Sequence, residues 1–151
     1  MSKEKVVFDE QEKKLIALAD SGDAAAAYEV AGLALEIEDK AMYFKYSKMV
    51  VDLSNGEGEN VAMSLEAMAH CYEQGESVEQ DLKKAFDLYV QAATLGNDEA
   101  QFKVGEFYMN GIVVETSLDK AIEWFSEAAK AGHSEASHNL AHCKKLKKDL
   151  W

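Results

Sequence analysis

The sequence predicts an all-α protein, an α-α superhelix of about seven or eight helices with no strands. Three observations predict it. The chain of 151 residues contains no proline, and 48% of it is hydrophobic against 29% charged. Loop-rich and all-β folds rarely manage without proline, whereas helices joined by short turns do, and this balance belongs to an ordinary globular chain. The third observation is internal: residues 64–100 match residues 100–136 at an offset of 36, with no gap.

The elements follow in chain order. A segment near 9–20 precedes helices near 23–37 and 40–54, because Ala19-x2-Gly22-x3-Ala26 repeats the spacing of Ala93-x2-Gly96-x3-Ala100. This first part, residues 1–60, reads as a degenerate N-terminal unit with a much shorter turn. Asn55-Gly56-Glu57-Gly58-Glu59-Asn60 is the strongest breaker in the chain and marks its joint with the regular units. Those units span 64–99 and 100–135. Gly75 and Gly111 end the first helix of each pair, and Gly96 and Gly132 end the second. Asp81 and Ser117 stand where an N-cap opens the second helix. Ala85, Ala121, Ala93 and Ala129 let helices approach closely, while Tyr72, Tyr108, Tyr89 and Phe125 fill the space between pairs. Residues 136–151 form a last helix with a charged face, a solubilising cap. The whole is one domain of helical repeats.

Charge narrows the partners. The net charge is −12, with 28 acidic residues against 16 basic, and every basic residue is lysine. The forked guanidinium that grips phosphate and guanine is missing, so neither nucleic acid nor an anionic membrane is expected. Lys144, Lys145, Lys147 and Lys148 are concentrated enough to be noticed, but cations suit the C-terminal end of a helix. With two cysteines, no leader-like apolar stretch and no membrane-length run, a cytoplasmic location is expected.

The repeat resembles the Sel-like family, relatives of the tetratricopeptide repeat. The residues carrying the resemblance are Tyr72-x2-Gly75-x2-Val78-x2-Asp81-x2-Lys84-Ala85-x3-Tyr89-x2-Ala92-Ala93-x2-Gly96-x3-Ala100. The next unit reads Ala100-x3-Val104-Gly105-x2-Tyr108-x2-Gly111-x2-Val114, then Lys120-Ala121-x2-Trp124-Phe125-x2-Ala128-Ala129-x2-Gly132-x3-Ala136. Three positions depart from the family pattern. Its second loop glycine is Ser77 and Val113 here, its aspartate is Ser117 in the later unit, and its tryptophan is Leu88 in the earlier one.

The resemblance implies that the first helix of each pair lines a concave groove. It places Glu99, Phe102, Glu106 and Met109 there, with Met63, Glu66, His70 and Glu73 one repeat back. One repeat on are Glu135, His138 and His142, and Tyr28 belongs to the degenerate unit. A groove of carboxylates, two aromatics and three of the four histidines suits a basic protein or peptide segment with an apolar anchor on Phe102. The histidines would make binding sensitive to mildly acidic pH.

Chemistry is expected to be absent. His138-x3-His142-Cys143 is the one metal-like cluster, and two imidazoles on one helix face fall short of a usual zinc set. It supports only a minor alternative, a metal-binding role for His138 and His142. Cys71 and Cys143 lie two whole repeats apart, too far for a disulfide. No phosphate loop, nucleophile elbow or dinucleotide fingerprint occurs. The expected function is a non-catalytic interaction module, an adaptor or scaffold without a cofactor. The alternative is an acidic immunity, inhibitor or chaperone protein dedicated to one basic partner such as a toxin. A monomer is favoured, with homodimerisation left open.

Overall fold

A computed structural model of the protein describes residues 5–150. Met1 to Glu4 and Trp151, which the sequence reading assigned to the N-terminal unit and the last helix, lie outside the described residues. The described residues form eight helices and no strand: α1 Glu10–Asp20, α2 Ala24–Glu36, α3 Lys40–Leu53, α4 Glu59–Gln74, α5 Leu82–Thr94, α6 Asp98–Asn110, α7 Leu118–Lys130 and α8 Ser134–Asp149. Each helix packs chiefly on its neighbours in sequence, so the chain is a stack of antiparallel pairs α2–α3, α4–α5 and α6–α7, flanked by α1 and α8.

Local chemistry starts and stops each helix. Side chains of Asp9, Asp23, Asp39, Asp81, Asn97, Ser117 and His133 each accept a backbone N–H in the first turn of the helix that follows. Helix α4 alone begins without a side-chain cap, at Gly58 with φ 106°, and this is the joint with the degenerate unit. At the other ends of α4 and α6, Gly75 and Gly111 adopt the left-handed conformation. The turn between α2 and α3 is shorter than the loops of the regular pairs, with Glu38 at φ 57°.

The repeat is equally exact in its packing. Tyr89 and Phe125 are fully buried at equivalent positions, among Ala85, Ala92 and Ala100 in one unit and Ala121, Ala128 and Ala136 in the next. Tyr72 meets Phe44 edge-on at 5.6 Å, and Tyr108 meets Phe86 edge-on at 5.8 Å. The Lys84 and Lys120 ammoniums lie over those same tyrosines at 5.4 and 5.2 Å, which gives the repeated lysine a physical reason. At Gly105, any Cβ would lie 2.6 Å from the Phe125 ring, so α6 and α7 approach through the absent side chain.

Candidate functional site

The first helices of successive pairs, α2, α4, α6 and α8, are tied to one another by polar and aromatic contacts along one face. The Tyr28 hydroxyl on α2 reaches the Met63 sulfur on α4 at 3.1 Å. The Lys103 ammonium on α6 lies 3.4 Å from Glu73 of α4 and 3.8 Å from Glu106 on its own helix. His133, at the start of α8, lies 3.0 Å from Glu99 of α6 and stacks on Phe102 with ring centroids 4.5 Å apart.

Of the residues expected in the groove, the structure brings Glu66, Glu73, Glu99 and Glu106 around Lys103. Burial pushes the Glu66 carboxyl up to about 7, with the charges of Glu99 and Glu73 adding to it and Lys103 opposing. Burial also raises Glu106, against the pull of Lys103. Glu73 accepts the Tyr89 hydroxyl at 2.5 Å, a charge-assisted bond from the buried side of α5. Burial, and then that bond, drive the Tyr89 hydroxyl far above the usual phenol range. Tyr43 on α3 is pushed up to about 12, first by burial and then by Glu66.

A second group of expected residues lines an open cavity of about 370 Å³ between α6 and α8: Phe102, Glu106, Glu135 and His138, with Ser134 and Asn139. Phe102 is largely covered by its surroundings. It is only 5% exposed, held between the Phe125 ring at 5.8 Å and the stacked His133 imidazole. It can offer an edge to the cavity floor and no protruding anchor. Met63, by contrast, is 43% exposed, and Tyr28 is half-buried beside it. Met109 packs on the core around Phe125. His70 is half-buried and His142 exposed, and neither imidazole makes a hydrogen bond among the described residues.

The metal alternative at His138 and His142 gains no third ligand. Among the described residues no group of three or more His, Cys, Asp or Glu side chains is placed to share an ion. Cys143 faces the core instead. It and Cys71 are buried free thiols, and burial pushes Cys71 up to about 11.

Sequence reasoning missed Lys103, Tyr43, Tyr89 and His133 as participants. Lys103 was legible, since it lies four residues after Glu99 and three before Glu106 on one helix. The other three reach the face from outside the first helices, and no spacing rule within those helices points to them.

The class of protein is therefore a helical-repeat solenoid in which alternate helices share one face. Residues 62–97 and 98–133 each match the Sel1 repeat, so the chain carries two Sel1 repeats. It is similar to the crystal structure of a Sel1 repeat protein from Oxalobacter formigenes, at 25% identity and TM-score 0.72, over 87% of this chain and 98% of that one. Two further structures share the fold. One is c5321, a protective antigen of uropathogenic Escherichia coli, with 22% identity, TM-score 0.75, and 87% of this chain covered but only 28% of that one. The other is the Helicobacter pylori cysteine-rich protein B, with 21% identity, TM-score 0.66, and coverage of 85% and 96%. No curated protein matches the chain. The Sel1 repeat fold is generally a protein–protein interaction module, and proteins of the family are typically scaffolds without enzymatic activity. Among the described residues no helix is long and apolar enough to cross a membrane.

Proposed function

We propose that the chain is a non-catalytic docking module that holds a basic protein segment along the face formed by α2, α4, α6 and α8. One observation carries this reading. The Lys103 ammonium at the junction of α4 and α6 pairs with Glu73 and Glu106, at 3.4 and 3.8 Å, while Glu66 and Glu99 add two further carboxylates beside them. The surplus negative charge is fixed on a rigid helical surface, where it attracts and orients a cationic partner. The cavity beyond it, with Glu135 and His138 on the rim, extends the acidic strip onto α8.

Contact with the apolar part of the partner falls to Met63 and Tyr28 in preference to Phe102, because Met63 is open and Phe102 is covered. Reversing two rim charges, Glu106→Lys with Glu135→Lys, tests the reading against a lysine-rich octapeptide as probe. The expected result is a loss of affinity of about tenfold or more, with helical circular dichroism unchanged and the remaining affinity less dependent on salt. Unchanged affinity in the double variant would overturn the assignment.

A further inference from the structure

The two ends of the stack are half-pairs of opposite kind. The spacing Ala19-x2-Gly22-x3-Ala26 recurs as Ala93-x2-Gly96-x3-Ala100 and as Ala129-x2-Gly132-x3-Ala136, so α1 holds the register of the second helices α5 and α7. Helix α8, anchored at Ala136, holds the register of the first helices α4 and α6. Among the described residues no first helix precedes α1 and no second helix follows α8.

The surfaces these helices would pair through are open. In α5 the row Ala85, Tyr89 and Ala92 is 0% exposed, as is Ala121, Phe125 and Ala128 in α7. The same row of α1 is Gln11, Leu15 and Leu18, where Gln11 is exposed, Leu15 half-buried and Leu18 49% exposed. Helix α6 meets α7 through Phe102, Gly105 and Tyr108. The corresponding residues of α8 are His138, Ala141 and Lys144, all exposed. The two faces also carry opposite charge. Within the regular pairs the Lys84 ammonium lies over Tyr72 at 5.4 Å, and that of Lys120 over Tyr108 at 5.2 Å. At the same two positions α8 has Lys144 in place of the tyrosine, and α1 has Glu10 in place of the lysine. Because the helices of a pair are antiparallel, this register sets Lys144, Lys145 and Lys148 of α8 against the first turn of α1, which holds Glu10 and Glu12. Lys147 points elsewhere and is paired with Asp119 of α7.

We propose that α8 of one copy of this chain pairs with α1 of a second copy, so that copies stack head to tail and the solenoid continues across the junction. The contact covers Leu18 and Leu15 with the α8 face and sets Lys144 against Glu10, a charge pair where the chain itself uses a cation over a ring. The joined surfaces differ, so the interface is heterologous: every copy added leaves one α1 and one α8 free, and growth is open-ended. Lysines on α8 keep that end soluble alone while selecting an acidic mate. The proposal departs from the monomer favoured on sequence, and it does not depend on the docking reading.

Sedimentation equilibrium of the full chain tests it at about 0.15 M salt, where repulsion between copies of net charge −12 is screened beyond about 8 Å but groups in contact are not. The weight-average mass should climb from one chain between about 10 µM and about 1 mM, with no plateau at two copies. Reversing the α8 end, Lys144→Glu with Lys145→Glu, should weaken association at least about tenfold, and so should reversing the α1 end, Glu10→Lys. Glu10→Lys lowers the net charge, so general repulsion alone predicts the opposite change. Glu12 is left in place because it caps the Asp9 N–H. An equal mixture of the two variants should associate again, since each then meets opposite charge at both junctions, and helical circular dichroism should be the same in all. A chain that stays single at about 1 mM overturns the proposal and leaves the α1 row to a different occupant. A mass that levels at two copies, association that survives either reversal, or a mixture that stays single also overturns it. None of these results touches the docking face, whose rim charges Glu106 and Glu135 are unchanged throughout.

Discussion

Replacing Glu66 by glutamine should stabilise the chain at alkaline pH and do so progressively less as the pH falls. In the native protein burial, then Glu99, hold the carboxyl near 7, against 4.5 for the free group. Between those values the native chain carries a proton that the unfolded chain has released. Stability therefore falls as pH rises, since its slope follows the protons bound in the unfolded state minus those bound in the native state. The contribution of Glu66 is fully present below about 4.5 and is lost through about 7. At about 1.4 kcal/mol per unit the interval corresponds to about 3.5 kcal/mol, reduced to about 2–3 by water at the open side of the side chain. Glutamine adds its own cost for an unpartnered amide, but that cost does not depend on pH. Urea unfolding of both proteins at pH 4 and pH 8 isolates the difference. The stability of Glu66→Gln relative to the parent should grow by about 2–3 kcal/mol between the two, or about 1–2 M in midpoint at unchanged slope. Glu135→Gln, on an exposed carboxylate, should show no such growth. Parallel shifts at both pH values, within the roughly 0.5 kcal/mol of an ordinary surface change, would refute the reasoning.

Tyr89→Phe removes the hydroxyl donated to Glu73 at 2.5 Å while leaving a buried ring, and should cost about 1–3 kcal/mol in urea unfolding with no change in slope. Ser77 and Val113 occupy the left-handed region at φ 63° and 67°, a strain of about 1–2 kcal/mol each, of which glycine's greater freedom in the unfolded chain returns about 0.5–1. Ser77→Gly with Val113→Gly should therefore raise the melting temperature by about 2–4 °C, and Ser77→Ala, which keeps the strain, should not. Gly105→Ala would set a Cβ 2.6 Å from the Phe125 ring. Overpacking should outweigh alanine's helix preference and leave a net loss of about 1 kcal/mol, read as a lower urea midpoint.

Most of the fold was legible because the repeat is written in residues with one physical use each. Glycine at 75 and 111 ends a helix, Asp81 and Ser117 open one, and the small residues at 85 and 121 permit contact. Even the degenerate unit gave up α2 and α3 through a single alanine–glycine spacing. The loops at Ser77 and Val113 were legible as departures, yet their conformation was not: the backbone keeps the glycine-type turn although no glycine is there. The candidate face was legible only along the first helices. Its electrostatics depend on Tyr89 and Tyr43, which arrive from second helices, and on His133, which arrives from a loop. The covering of Phe102 was not legible for the same reason, since the ring over it lies on an element whose reach no periodicity describes.

The opposite fates of Phe102 and Glu66 follow from that covering residue. The two stand at the same position of successive repeats, one offset of 36 apart. In the later unit the next helix is capped by His133, whose Nδ1 accepts the Ala136 N–H at 3.2 Å while the rest of the imidazole lies over Phe102 and reaches Glu99. One repeat earlier the cap is Asn97, whose shorter side chain accepts the Ala100 N–H at 2.8 Å and makes no hydrogen bond to Glu66. A residue that caps and covers at once closes the surface over Phe102; a residue that only caps leaves Glu66 without a partner. The framework positions of the repeat fix where helices lie, and the size of one cap residue decides which side chains they leave open. Exchanging the two caps, Asn97→His with His133→Asn, should accordingly uncover Phe102 and give Glu66 an imidazole neighbour. The Glu66 NMR midpoint should then fall below about 7 while both helices keep a side-chain cap. A midpoint that does not move would show that Glu66 is isolated by something other than the length of Asn97.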